Sequence, residues 1–123
     1  MKIVRVDWLS KEAEEAEIQV SDGENKALVF SCPFQYKLGE DVSAPLSAVF
    51  CKGLVHEKDR TSVLSRIVDS PFGCHIAGEI ISVNEDRDGI VQVFGFQIRL
   101  RDLPKEFKPG DFVRFSAGRL DLY

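Results

Sequence analysis

The residues able to do covalent chemistry are few and poorly grouped. The two histidines, His56 and His75, belong to no HxH, HExxH or metal-spaced Cys/His set. Cys74-His75 places a thiol beside an imidazole, the ingredients of a nucleophile–base pair. Neighbours on a strand point to opposite faces, so on an extended segment these two cannot meet. His75 is instead expected across from Arg99, as a polar neighbour. Asn84-x-Asp86-x-Asp88-Gly89 starts as an EF-hand calcium loop does, but Gly95 stands where that loop needs its bidentate Glu, and the flanks alternate as strands do. Asp and Gly here read as hairpin residues. Glu14-Glu15 and Glu85-Asp86 are adjacent carboxylates without the apolar surround that would raise a pKa for acid–base work. No glycine-rich phosphate loop and no GxSxG elbow occurs. The expectation is a binding protein, not an enzyme, with no cofactor and no metal.

Charge gives the stronger signal. The formal net charge of −4 lacks the basic footprint of a typical nucleic-acid binder. It is uneven. Residues 12–24 hold the acids Glu12, Glu14, Glu15, Glu17, Asp22 and Glu24 and no base. Residues 99–119 hold Arg99, Arg101, Lys105, Lys108, Arg114 and Arg119 against Asp102, Glu106 and Asp111. Either stretch reads as an ordinary solvated surface or as half of a complementary pair.

The elements that must position these residues are strands. Lys2 to Leu9, Glu15 to Val20 and Ala27 to Cys32 alternate apolar with polar residues, and Asp22-Gly23-Glu24-Asn25 is a turn between the last two. Pairing Val20 with Leu28 sets Ile18 opposite Phe30. Residues 45–56 fit a helix or a strand equally. Val63, Leu64, Ile67 and Val68 form a helical stripe with Asp59 or Thr61 as cap and Pro71 as stop, which predicts one short helix over 60–69. Cys74–Val83, Ile90–Leu100 and Asp111–Ala117 form an antiparallel meander. Its predicted register places Ile80 opposite Phe94, Gly78 opposite Phe96 and Ile76 opposite Ile98, with both phenylalanines inward and Leu103 and Phe107 anchoring the loop before the last strand.

The chain's 123 residues suit a single β domain spanning 1–123, and nine phenylalanines suit a β core. Cys32, Cys51 and Cys74 match no metal or redox spacing and sit among apolar neighbours, so buried free thiols and a reducing compartment are expected. Charges in Met1-Lys2-Ile3-Val4-Arg5-Val6-Asp7 argue against a signal peptide, and no run reaches the roughly 20 apolar residues of a membrane span. The expected location is the cytoplasm, with no membrane partner.

Three strands, a segment with a helix, and further strands, with Gly78 and Gly95 inside strands, resemble the oligonucleotide/oligosaccharide-binding (OB) fold. The Gly110-Asp111-Phe112-Val113-Arg114-Phe115 run is common in small barrels. The resemblance implies a small antiparallel, partly open β-barrel. The strand count departs from the usual five, so a split or SH3-like barrel is the alternative. Two functions follow. One is a protein-binding module that meets a basic partner with Glu12, Glu14, Glu15 and Glu17, for example a bacterial immunity-type protein that neutralises a toxin. The other is a binder of single-stranded nucleic acid using Arg99, Arg101, Lys105, Lys108, Arg114 and Arg119.

Overall fold

A computed structural model describes all 123 residues. The N-terminal alternation forms three antiparallel strands, β1 (Lys2–Ser10), β2 (Glu15–Ser21) and β3 (Lys26–Ser31). The middle supplies β4 (Leu46–Val49), β5 (Lys52–His56) and β6 (Val63–Arg66). The last part supplies β7 (Cys74–Val83), β8 (Gly89–Val93), β9 (Phe96–Leu100), β10 (Phe112–Ala117) and β11 (Arg119–Leu122). The protein is all-β.

The strands make one open sheet in the order β1-β2-β3-β11-β4-β9-β8-β7-β10-β5, with β6 added to β7. Only Gly118 separates β10 from β11, and the two act as one long strand that changes neighbours halfway. Along β10 the neighbours are β7 and β5; along β11 they are β3 and β4. Because β4 also pairs with β9, and β9, β8 and β7 are consecutive neighbours, the pairings lead from β11 round to β10 again. The sheet therefore wraps about its own apolar side. One contiguous core of 25 buried residues draws on both ends of the chain, including Ile3, Ile18, Val29, Ile76, Phe96, Val113 and Leu122.

Alternation placed most strands correctly, but several details differ from expectation. The ambiguous stretch 45–56 is strand, in two pieces. No helix forms over 60–69; Val63–Arg66 is strand β6, lying along the first half of β7, whose edge β8 leaves free. A ten-residue helix there would be too short to stand without tertiary packing, whereas the strand gains the open edge of β7. The run 90–100 is two strands folded back on each other. Phe94 and Gly95 form the turn, and Phe94 has φ 51° and lies 40 % exposed, not inward. Phe96 is buried as expected.

The register changes accordingly. Ile80 pairs with Val91, and Gly78 pairs with Val113 of β10. A Cβ on Gly78 would meet the Gln92 carbonyl oxygen and the Val93 side chain, so this glycine admits a close strand approach and no aromatic ring covers it. In the first hairpin Val20 pairs with Ala27 and Ile18 with Val29, one residue off the expected register. Ala27, Val29 and Ser31 point inward; Leu28 and Phe30 do not. Leu103 and Phe107 are buried and anchor their loop, which the Arg87 guanidinium also ties down through the Leu103 and Pro104 carbonyls.

Candidate functional site

β1 has no strand on its outer side. Near its start, Ile3 is hydrogen-bonded to Glu40 and Gly39, and beyond that the edge is free. A register shift between Ile3 and Arg5 changes which β1 side chains face outward, and Val4, Trp8 and Leu9 are exposed. Trp8 (43 % exposed) packs edge-on against Phe34, with ring centres 5.6 Å apart, and Phe34 leans on Tyr36 at 6.3 Å. Cys32-Pro33-Phe34 runs behind the hairpin tip, where the Phe34 N–H donates to the Glu14 carbonyl at 2.7 Å. The tip itself is closed by the Ser10 hydroxyl accepting from Ala13 N–H, and Glu14 takes φ 55°. Glu12 and Glu14 stand exposed on this tip, Glu15 is half-buried, and none of the three has a salt-bridge partner. The result is an aromatic braced by Phe34 on an open strand edge that leads into a tip of free carboxylates.

Two other acids of the stretch are engaged within the protein, while Glu24 is exposed and in no salt bridge. Glu17 faces Arg5 at 3.4 Å, and Arg5 also holds Asp7 at 2.9 Å. Asp22 accepts from the N–H groups of Glu24 and Asn25 in its own turn and, through its other oxygen, from Gly95 N–H at 2.8 Å. Burial pushes this carboxyl up. The N–H donors of Asn25, Glu24 and Gly95, with help from the Asn25 side chain, outweigh burial and hold its pKa at about 2. Asp22 is thus a clasp between the β2–β3 and β8–β9 turns.

The six cations do not form one surface. Arg101, Lys105 and Lys108 are exposed in the β9–β10 loop. Arg114 reaches Glu57 at 3.5 Å on the outer face of β10. Arg99 and Arg119 lie on the outer face of the β9-β4-β11 part, where Asp121 pairs with Ser47 and Ser47 with Arg99. Arg119 binds Asp121 through two nitrogens, at 2.6 and 2.9 Å. Those hydrogen bonds raise its pKa further above the ordinary arginine range. Its guanidinium lies 4.3 Å from the centre of Phe30 and 5.8 Å from that of Phe50, and Phe30 meets Phe72 edge-on at 6.2 Å. Phe50 is 75 % exposed and has φ 55°.

Elsewhere the chemistry is thin. A groove of about 490 Å³ on the outer face of β5, β10, β7 and β6 is lined by Glu57, Asp59, His75, Arg114 and Ser116 among others. His75 pairs across the strands with Ser116 and Ser65, not with Arg99, because β10 and β6 are the neighbours of its half of β7. His75 Nδ1 sits 3.2 Å from Ser116 Oγ, with no acid bonded to the ring to orient it. Cys74 and His75 do face opposite ways, one buried and the other exposed. Of the cysteines, only Cys74 is fully buried; Cys32 is half-buried and Cys51 exposed, and all three are free. Burial, with a smaller contribution from Cys51, pushes the Cys74 thiol up to about 11, far from a nucleophilic thiolate at neutral pH. No three His, Cys, Asp or Glu side chains converge as metal ligands would. No helix is long and apolar enough to cross a membrane.

Set against protein-family models, curated proteins and solved structures, the chain matches none. Sequence reasoning marked the acidic tip but missed Trp8 and Leu9 as its apolar companions. The outward ring of Phe30 was missed too. Its signal was absent from the local pattern, because its partner Arg119 lies at the other end of the chain.

Proposed function

We propose that this protein is a non-enzymatic binding module that docks a basic protein partner on the free edge of β1 and the adjoining β1–β2 tip. One observation carries the reading: the free edge strand exposes Trp8 and Leu9 (51 % exposed) and runs directly into a tip whose carboxylates have no salt-bridge partner. Trp8 supplies a large apolar contact already held in place by Phe34, so little freedom is lost on binding. Glu12, Glu14 and Glu15 supply the rim, where complementary charge speeds encounter and rejects acidic competitors. The open backbone of β1 offers further hydrogen bonds to an extended segment of the partner.

A neutralising, immunity-type role in the cytoplasm is the concrete form of this reading. The wrapped set of strands is read as a small, partly open barrel of the OB-like kind, serving as a stiff support for the β1–β2 hairpin. The six-cation reading of nucleic-acid binding has less support, since Arg101, Lys105 and Lys108 occupy a loop, Arg114 lies on β10, and only Arg99 and Arg119 share a part of the sheet.

Affinity capture from the native cell tests the proposal, with wild-type protein, the triple variant Glu12→Lys/Glu14→Lys/Glu15→Lys and Trp8→Ala as parallel baits. Wild type should retain a basic protein that elutes as salt rises, and both variants should lose it. Equal recovery on all three baits would remove the β1 edge from consideration.

A further inference from the structure

We infer that the outer face of β3 and β11 is a short track for single-stranded nucleic acid, with Phe50 and Phe72 as stacking platforms and Arg119 between them. This surface is separate from the β1 edge and stands or falls without it.

The geometry meets the two needs of such a track, flat faces for bases and fixed positive charge for the backbone. Arg119 is fixed twice over, gripped by both oxygens of Asp121 and laid against Phe30. Asp121 is only 4 % exposed, so the pair presents its arginine side to the surface and its carboxylate to the protein. Phe50 is held out by a left-handed backbone that a phenylalanine adopts only under strain. That conformation is enforced by Gly118, whose N–H donates to the carbonyls of both Val49 and Phe50, and where a Cβ would strike the Phe50 side chain. A large ring kept 75 % exposed by a strained turn, with Arg119 at its margin, is ready for a flat ligand.

Phe72 extends the series on the other side of Phe30. It lines one recess with Lys26 and Arg66, both exposed and neither in a salt bridge. These two cations sit where phosphates beside a base on Phe72 would lie. Two acids pair across from Phe30, Asp121 on β11 and Glu17 on β2, and each is occupied, by Arg119 and by Arg5. With Asp121 offsetting Arg119, the uncompensated charges on this face are Lys26 and Arg66, in a protein whose net charge is −4. Rings interleaved with cations suit bases and phosphates better than a partner protein, which would call for a contiguous apolar centre. Every base has a flat face, so the track has little sequence preference.

The test is fluorescence anisotropy of a labelled oligo(dT) of about eight nucleotides, with a labelled polyglutamate peptide of like charge beside it. Binding should occur at about 20 mM salt and weaken about 25- to 130-fold at about 200 mM, as for two or three phosphate contacts. Phe50→Asn relieves the backbone while removing the ring, so it should fold at least as well as wild type and bind about tenfold more weakly. Phe50→Trp should restore affinity. Arg101→Ala, in the β9–β10 loop, should stay within about twofold of wild type. Absence of oligonucleotide binding at low salt, equal binding by Phe50→Asn, or tighter binding of polyglutamate would each overturn the inference.

Discussion

The β1 edge and the β11 face are built from the same kinds of residue and use them in opposite ways. On β1 the aromatic is braced from behind by Phe34, and the nearby carboxylates of Glu12 and Glu14 stay free. On β11 the carboxylate of Asp121 is consumed inside the protein, where it holds the arginine that reaches the rings. A charge at a hairpin tip costs the fold little and is free to select a partner. A charge in the middle of a sheet is tolerated only with its counter-ion, and what it gains is a fixed direction.

The contrast predicts a gradient of mutational cost from the wrapped strands out to the tip. Gly78→Ala forces a methyl group onto the Gln92 backbone and should cost about 3 kcal/mol, read as a fall in the denaturation midpoint at unchanged slope. An unchanged midpoint would mean that β7 and β8 are not so closely opposed. Arg119→Ala strands buried Asp121 and should cost about 2 kcal/mol, less than a fully buried pair because Arg119 is partly exposed. Adding Asp121→Ala should recover part of that loss in a double-mutant cycle.

Asp22→Ala should cost about 1–2 kcal/mol by leaving the turn N–H groups and Gly95 N–H without their acceptor. Its pH dependence has a definite sign. The folded carboxyl, at about 2, lies below its ordinary value of 3.8, so its contribution is complete above about pH 4 and is lost as pH falls toward 2. The Asp22→Ala variant should show a shallower fall in stability over that window; equal slopes would deny the clasp. Phe94→Asn should gain about 0.5–1 kcal/mol, since Asn accepts the left-handed turn and the Phe94 N–H bond to Ser62 is kept. At the tip, Glu12→Gln with Glu14→Gln should change stability by less than about 0.5 kcal/mol while weakening capture of the basic partner.

The strands were legible wherever alternation was long. The β7 segment was bounded correctly from Cys74 to Val83 because its turn residues and its apolar spacing agree. Three features escaped. Phe94 and Phe96 have the same spacing within one strand as across a two-residue turn, and the turn is held by distant partners, Asp22 on Gly95 and Ser62 on Phe94. The parity of β3 was misread because Leu28 and Phe30 are larger than Ala27 and Val29, and size suggested burial. Arg119, 89 positions further on, gives Phe30 its outward role. The stripe Val63 to Val68 was genuinely helical in spacing; a vacant stretch of the β7 edge claimed it. Of the site, the acids were visible as composition, whereas the exposure of Trp8 depends on β1 being the edge of the sheet, which no local pattern reveals.

The long strand from Phe112 to Leu122 belongs to both halves of the molecule at once, lining up with β7 and β5 before Gly118 and with β3 and β4 after it. Peeling it away would strip four other strands of a neighbour in a single event. Neither half has a way to melt alone, and amide hydrogens on β3 and on β7 should exchange with deuterium at one shared rate set by complete unfolding.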